Sequence, residues 1–82
     1  MDQEVMQHLT FIYRIKVKWW NDNSNSSVYL ELYDIQIEKD RTKVILLVTF
    51  PYFLSDLMNI CMYFHTEAEN CIIEKDKVIL II

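Results

Sequence analysis

The residues with chemistry to offer are few: two histidines, His8 and His65, and two cysteines, Cys61 and Cys71. Cys61 and His65 stand four apart, a spacing that puts both on one face of a helix and would set a base beside a thiol nucleophile. The competing reading is structural, with Cys61 in the core and His65 near a helix C-terminus, where the dipole favours a cation. Nothing completes a catalytic set, because a chain without glycine has no phosphate-cradling loop and no nucleophile elbow. As metal ligands, Cys61, His65 and Cys71 make three, where a structural zinc site takes four, usually at paired short spacings. The sequence therefore predicts no enzyme, no metal and no cofactor.

A second group is basic and aromatic. Arg14, Lys16 and Lys18 alternate along the chain beside Trp20. On one face of a sheet, such residues can hold a single strand of nucleic acid by charge and stacking. Two observations weigh against that reading. The formal net charge is −4, the wrong sign for a general nucleic-acid binder, and Glu31 and Asp34 are expected opposite Lys16 and Arg14, where they would neutralise the stripe.

The elements that position these groups follow from hydrophobic periodicity. In residues 9–20 the apolar Leu9, Phe11, Tyr13, Ile15, Val17 and Trp19 alternate with polar residues, the period of two of a half-buried antiparallel strand. The run NDNSNSS over 21–27 reads as a loop of residues that bond their own backbone, giving a hairpin. A second strand over 28–38 changes phase, from Val28, Leu30 and Leu32 to Tyr33, Ile35 and Ile37. A slip of one residue flips every side chain, so a bulge near Leu32 and Tyr33 is expected. After a charged turn at 38–43, the run KVILLVTFPY over 43–52 is apolar on both faces. Val44, Leu46, Val48, Phe50 and Tyr52 lie on one face and Ile45 and Leu47 on the other, the pattern of a central strand. Pro51 ends its pairing.

Ser55 is the expected N-cap of a helix over 56–69, with Asp56 in its first turn. Leu57, Ile60, Cys61, Phe64 and Ala68 form its apolar stripe, and Met58, Met62 and His65 form a second stripe beside it. The remainder reads as a short strand from Cys71, a tight turn at 74–77 and a closing strand over 78–82. That closing strand has no alternation, so it is either buried on both faces or an exposed edge. The expected fold is a single α+β domain over residues 1–82, an antiparallel sheet of four to five strands in the order β-β-β-α-β(-β) with one helix on one face.

Composition bounds the function. A chain of 82 residues has room for one core and buries only about 60% of its unfolded surface. Its hydrophobic content is nevertheless 52%, against a usual level of about 45–50%. The surplus predicts self-association or a partner. A membrane span over 44–66 is the rival, being longer than the ~20 apolar residues a bilayer requires. It is interrupted by Pro51 and Ser55 and holds the charged Asp56 mid-span, where a charge is costly. The opening MDQEVMQ lacks the basic start of a secretory signal, and two cysteines suit a reducing compartment. Phe, Tyr, Met, Ile, Asn and Lys make up 35 residues, while Gly, Ala, Arg and Pro make up 4, the skew of an AT-rich reading frame such as those of low-GC bacteria, phages and mobile elements.

The expectation is a non-enzymatic, cytoplasmic protein-protein interaction module, dimeric, exemplified by a phage or mobile-element inhibitor that blocks a host defence protein. Its expected anchors are Trp20, Met58 and Met62, with Glu31, Asp34 and Glu38 as an acidic band that sets orientation. The alternatives are single-stranded nucleic-acid binding through Arg14, Lys16, Lys18 and Trp20, and membrane association.

Overall fold

The computed structural model describes residues 3–49 and 51–82. The chain runs α1 (Gln3–Asn23), β1 (Leu30–Ile37), β2 (Thr42–Val48), α2 (Leu54–Tyr63), a short 3-10 turn at Ala68–Asn70, β3 (Cys71–Glu74) and β4 (Lys77–Ile81). The four strands form one antiparallel sheet in the order β1-β2-β4-β3. The class is α+β, but the element order is α-β-β-α-β-β.

The first expected strand is a helix. Residues 9–20 satisfy two periods at once, because alongside the alternation Met6, Leu9, Tyr13, Val17 and Trp20 recur every three or four residues and all join the core. Length arbitrates between them: strands usually run 4–8 residues, and α1 runs 21 without an internal breaker. Its many β-branched and aromatic residues give it no advantage in intrinsic preference, so burial of the apolar stripe against the sheet holds it helical. The expected first hairpin, and with it the pairing of Lys16 with Glu31 and Arg14 with Asp34, does not exist.

The Asn/Ser run instead ends α1 and fastens it to β1. The amide of Asn21 donates to the Leu30 carbonyl and accepts from the Leu30 N–H, both at 2.8 Å. The buried indole N–H of Trp20 donates to the Val28 carbonyl at 3.0 Å. The Ser26 hydroxyl accepts from the Val28 N–H.

The phase change in the next strand is the bulge the sequence predicts. Leu32 pairs with Leu46 and Asp34 with Ile45, so Tyr33 is the extra residue. The shift keeps Leu30 and Ile35 both buried. In β2, Val44 and Leu46 have no exposed surface and Ile45 is buried on the opposite face. Phe50, expected on the core face, lies outside the described residues. The closing run is β4, an interior strand between β2 and β3.

One apolar cluster joins Val17 and Trp20 of α1, Leu57, Ile60, Cys61 and Phe64 of α2 and the inward residues of the sheet. Both helices therefore cover the same sheet face, α1 over β1 and α2 over β3 and β4. Tyr63 ties them together, its hydroxyl donating to the Lys16 carbonyl at 2.8 Å while its ring stacks on Trp19 at 5.6 Å. No helix of the described residues is long and apolar enough to cross a membrane, and the range 44–66 takes in the strand β2 and the ten-residue helix α2.

Candidate functional site

α2 begins one residue before the expected cap. Phe53 is its N-cap, and the Asp56 carboxylate accepts from the Phe53 N–H at 2.8 Å, satisfying a donor that a helix N-terminus otherwise leaves bare. Ser55 sits inside the first turn and caps nothing. The helix also ends sooner than the apolar stripe suggests, at Tyr63. His65 adopts a left-handed φ of 58°; its N–H donates to the Met62 carbonyl at 3.1 Å, and the Thr66 N–H donates to the Cys61 carbonyl at 2.9 Å. This is the Schellman arrangement, built here without the glycine that usually supplies it.

Leu57, Ile60, Cys61 and Phe64 face inward. The flank turned away from α1 is open: Phe53 is 78% exposed, Leu54 and Met62 72% each, and Met58 51%. Beside it lies an apolar groove between α2 and β3, walled by Leu54, Met58, Cys61, Ala68, Cys71 and Ile73. Beyond the groove the sheet ends at β3, whose Ile72 and Ile73 are both close to half exposed.

The two edges of the sheet differ. At the β1 edge, Asn21 occupies both backbone groups of Leu30, Tyr33 is bulged out, and the Asp34 carboxylate accepts from the Ile35 N–H, the kinds of device that keep an edge from pairing with another chain. The β3 edge has no bulge in its register with β4 and carries apolar Ile72 and Ile73. Exposed Glu67, Glu69 and Glu74 rim it, and among the described residues none of the three is in an ion pair.

The sequence-predicted site residues do not meet in one place. Met58 and Met62 stand on the open flank of α2. Trp20, expected as a surface anchor, is only 4% exposed; its place in the α1 stripe puts it in the core, and the exposed tryptophan is Trp19. Glu31 and Asp34 pair across to Leu47 and Ile45, on the sheet face opposite the helices. Glu38 follows β1 and bonds Arg41 at 2.9 Å and Lys43 at 3.4 Å. The Arg41 guanidinium beside it, with help from Lys43, holds its carboxyl below the usual range against a smaller opposing effect of burial. This acidic band and the methionines thus belong to opposite faces of the sheet and cannot share one small footprint.

The basic stripe is also dispersed. On α1, Arg14 and Lys18 share the flank beside β1, next to Leu30, Glu31 and Leu32, Lys18 with its ammonium 2.7 Å from the Asp22 carboxylate. Lys16 turns toward α2, over the Tyr63 ring at 5.5 Å, and Trp20 is internal. Helical geometry takes apart what strand alternation would have aligned.

Cys61 has Cys71 as its neighbour, with the two sulfurs 2.7 Å apart. Burial, then the hydrogen bond and charge of Cys61, push the Cys71 thiol up to about 12. His65 serves as the exposed left-handed cap and makes no hydrogen bond to Cys61 among the described residues. No group of three or more His, Cys, Asp or Glu among the described residues is placed to hold a metal ion.

Sequence reasoning missed Phe53, Leu54, Ile72, Ile73 and the acids Glu67, Glu69 and Glu74. The signal available for the first two was an aromatic and a leucine directly preceding a helix start, in the gap left between the central strand and the expected cap. Comparison with known protein families, characterised proteins and solved structures finds no match, so the functional reading rests on the surface itself.

Proposed function

We propose that the chain is a non-enzymatic protein-binding module that acts in the cytoplasm, and that its docking site is the flank formed by α2 and β3. The observation that carries this reading is the continuity of apolar surface from Leu54, Met58 and Met62, across the groove, to the uninterrupted edge at Ile72 and Ile73. Methionine side chains adapt to irregular partner surfaces. A short edge strand without a bulge offers backbone hydrogen bonds to an incoming strand, while an adjacent groove takes its alternate side chains. The partner segment that fits is extended and apolar, flanked by Lys or Arg that face Glu67, Glu69 and Glu74. The AT-rich composition and small size fit a phage or mobile-element protein that blocks a host defence protein in this way. Self-association is assigned to the outer face of the sheet, which meets this flank at Ile72 and leaves Leu54, Met58, Met62 and Ile73 free.

The test begins with a binding partner identified by affinity capture and then measured directly. Met58→Ala with Met62→Ala should weaken binding by about thirtyfold or more, the loss expected when anchor side chains are truncated. Both residues are exposed, so the melting temperature should hold. Equal affinity for the double variant and the parent rejects the flank as the docking site.

A further inference from the structure

Cys61 and Cys71 are held in apposition by elements that do not depend on the thiols. Cys61 lies in the last turn of α2, and its carbonyl accepts from the Thr66 N–H in the helix cap. Cys71 opens β3, paired with Leu80 of interior strand β4. The connection between them is pinned twice more, by the Thr66 hydroxyl donating to the Ile81 carbonyl at 3.0 Å and by the Asn70 N–H donating to the Glu67 carbonyl at 2.9 Å. The two sulfurs are thereby brought to 2.7 Å, inside the ~3.5–4 Å at which uncharged heavy atoms rest against each other and a short displacement from the ~2.0 Å of an S–S bond. Cys61 is buried, whereas Cys71 is partly open to solvent, so one sulfur can be reached from outside and the other only from within.

We infer that Cys61 and Cys71 form a dithiol site that is oxidised to an intramolecular disulfide by a small-molecule disulfide of the glutathione class. The Cys71 thiol gives its proton to solvent, and its thiolate attacks one sulfur of oxidised glutathione. The glutathione S–S bond breaks, and the departing thiolate takes up a proton. The Cys61 thiol then loses its proton, attacks the Cys71 sulfur of the mixed disulfide and expels the second glutathione as thiol. Two electrons pass from the protein thiols to the glutathione disulfide, and two hydrogens leave the chain. Because its thiol is pushed so far up, Cys71 is a slow nucleophile at neutral pH. Closure is therefore slow at neutral pH and accelerates as the pH rises. This inference is independent of what the α2 flank binds.

The experiment treats the full chain with excess oxidised glutathione in mildly alkaline buffer and follows intact mass, non-reducing peptide maps and melting temperature. The expected product has lost two hydrogens, keeps no glutathione, and yields one cross-linked peptide carrying residues 61 and 71. Its melting temperature rises by about 10 °C, from the closure of a short loop in a domain of this size, and dithiothreitol reverses the change. Cys61→Ser should instead retain one glutathione on Cys71, since the resolving sulfur is gone. Stable glutathione adducts on the parent chain, disulfide-linked dimers, or two free thiols surviving a forcing oxidant such as diamide would each overturn the assignment.

Discussion

His65 and Lys75 hold backbone conformations that most chains give to glycine. Their φ values are 58° and 54°, in the left-handed region where a Cβ crowds the following carbonyl at a cost of roughly 1–2 kcal/mol per residue. This sequence has no glycine to offer. His65 terminates α2 and Lys75 turns β3 into β4, so both strained positions flank the proposed docking site. His65→Gly should stabilise the domain by about 1 kcal/mol, raising the melting temperature by about 4–8 °C; thermal denaturation followed by circular dichroism checks it. An unchanged or lower melting temperature would mean that the imidazole makes a contact worth more than the relieved strain. The tight turn at 74–77 was legible from its polar residues. The cap at His65 was not, because the apolar stripe of the helix runs on through Ala68, and only a tertiary contact, Thr66 to Ile81, draws the chain away from it.

At the scale of elements, the sheet was legible where burial imposes a single period. Two-sided burial marked β2, and a phase slip marked the bulge in β1, because no other arrangement keeps Leu30 and Ile35 on one face. The first element misled because its apolar residues fit both a strand and a helix, and the two fits sort them differently. A strand puts Leu9, Phe11, Tyr13, Ile15, Val17 and Trp19 together. The helix buries Val17 and half-buries Leu9 and Tyr13, while Phe11, Ile15 and Trp19 stay exposed. Neighbouring substitutions should therefore differ sharply. Val17→Ala should cost about 2 kcal/mol, and Ile15→Ala should stay within about 0.5 kcal/mol of the parent, both measured by denaturant titration. Comparable losses at the two sites would restore the strand.

For the molecule as a whole, 52% hydrophobic residues were enough to foretell unspent apolar surface, though not where it would lie. Two helices on one side of a four-stranded sheet leave the other side uncovered by any element of the described residues, although Ile45 at its centre is itself buried. Across it, the register aligns Ile45 of β2, Ile79 of β4 and Ile72 of β3 in one row, with Leu47 and Ile81 to either side. Lys43 and Lys77 stand on this face with Glu31, Asp34 and Glu74, a rim of mixed sign in which acids of one copy can meet bases of another. A flat apolar strip with such a rim suits a twofold pairing, in which one patch must complement itself, and two sheets so stacked lie about 10 Å apart. The chain should accordingly sediment as a dimer at micromolar concentration. Ile72→Lys, at the edge of the strip, should shift it toward monomer without unfolding it, and Ile79→Lys at the centre should do so more completely. Ile15→Lys, on the outer side of α1, should leave the dimer intact. A parent chain that sediments as a monomer at every concentration would remove the sheet face as an interface, while dissociation by Ile15→Lys alone would transfer the interface to α1.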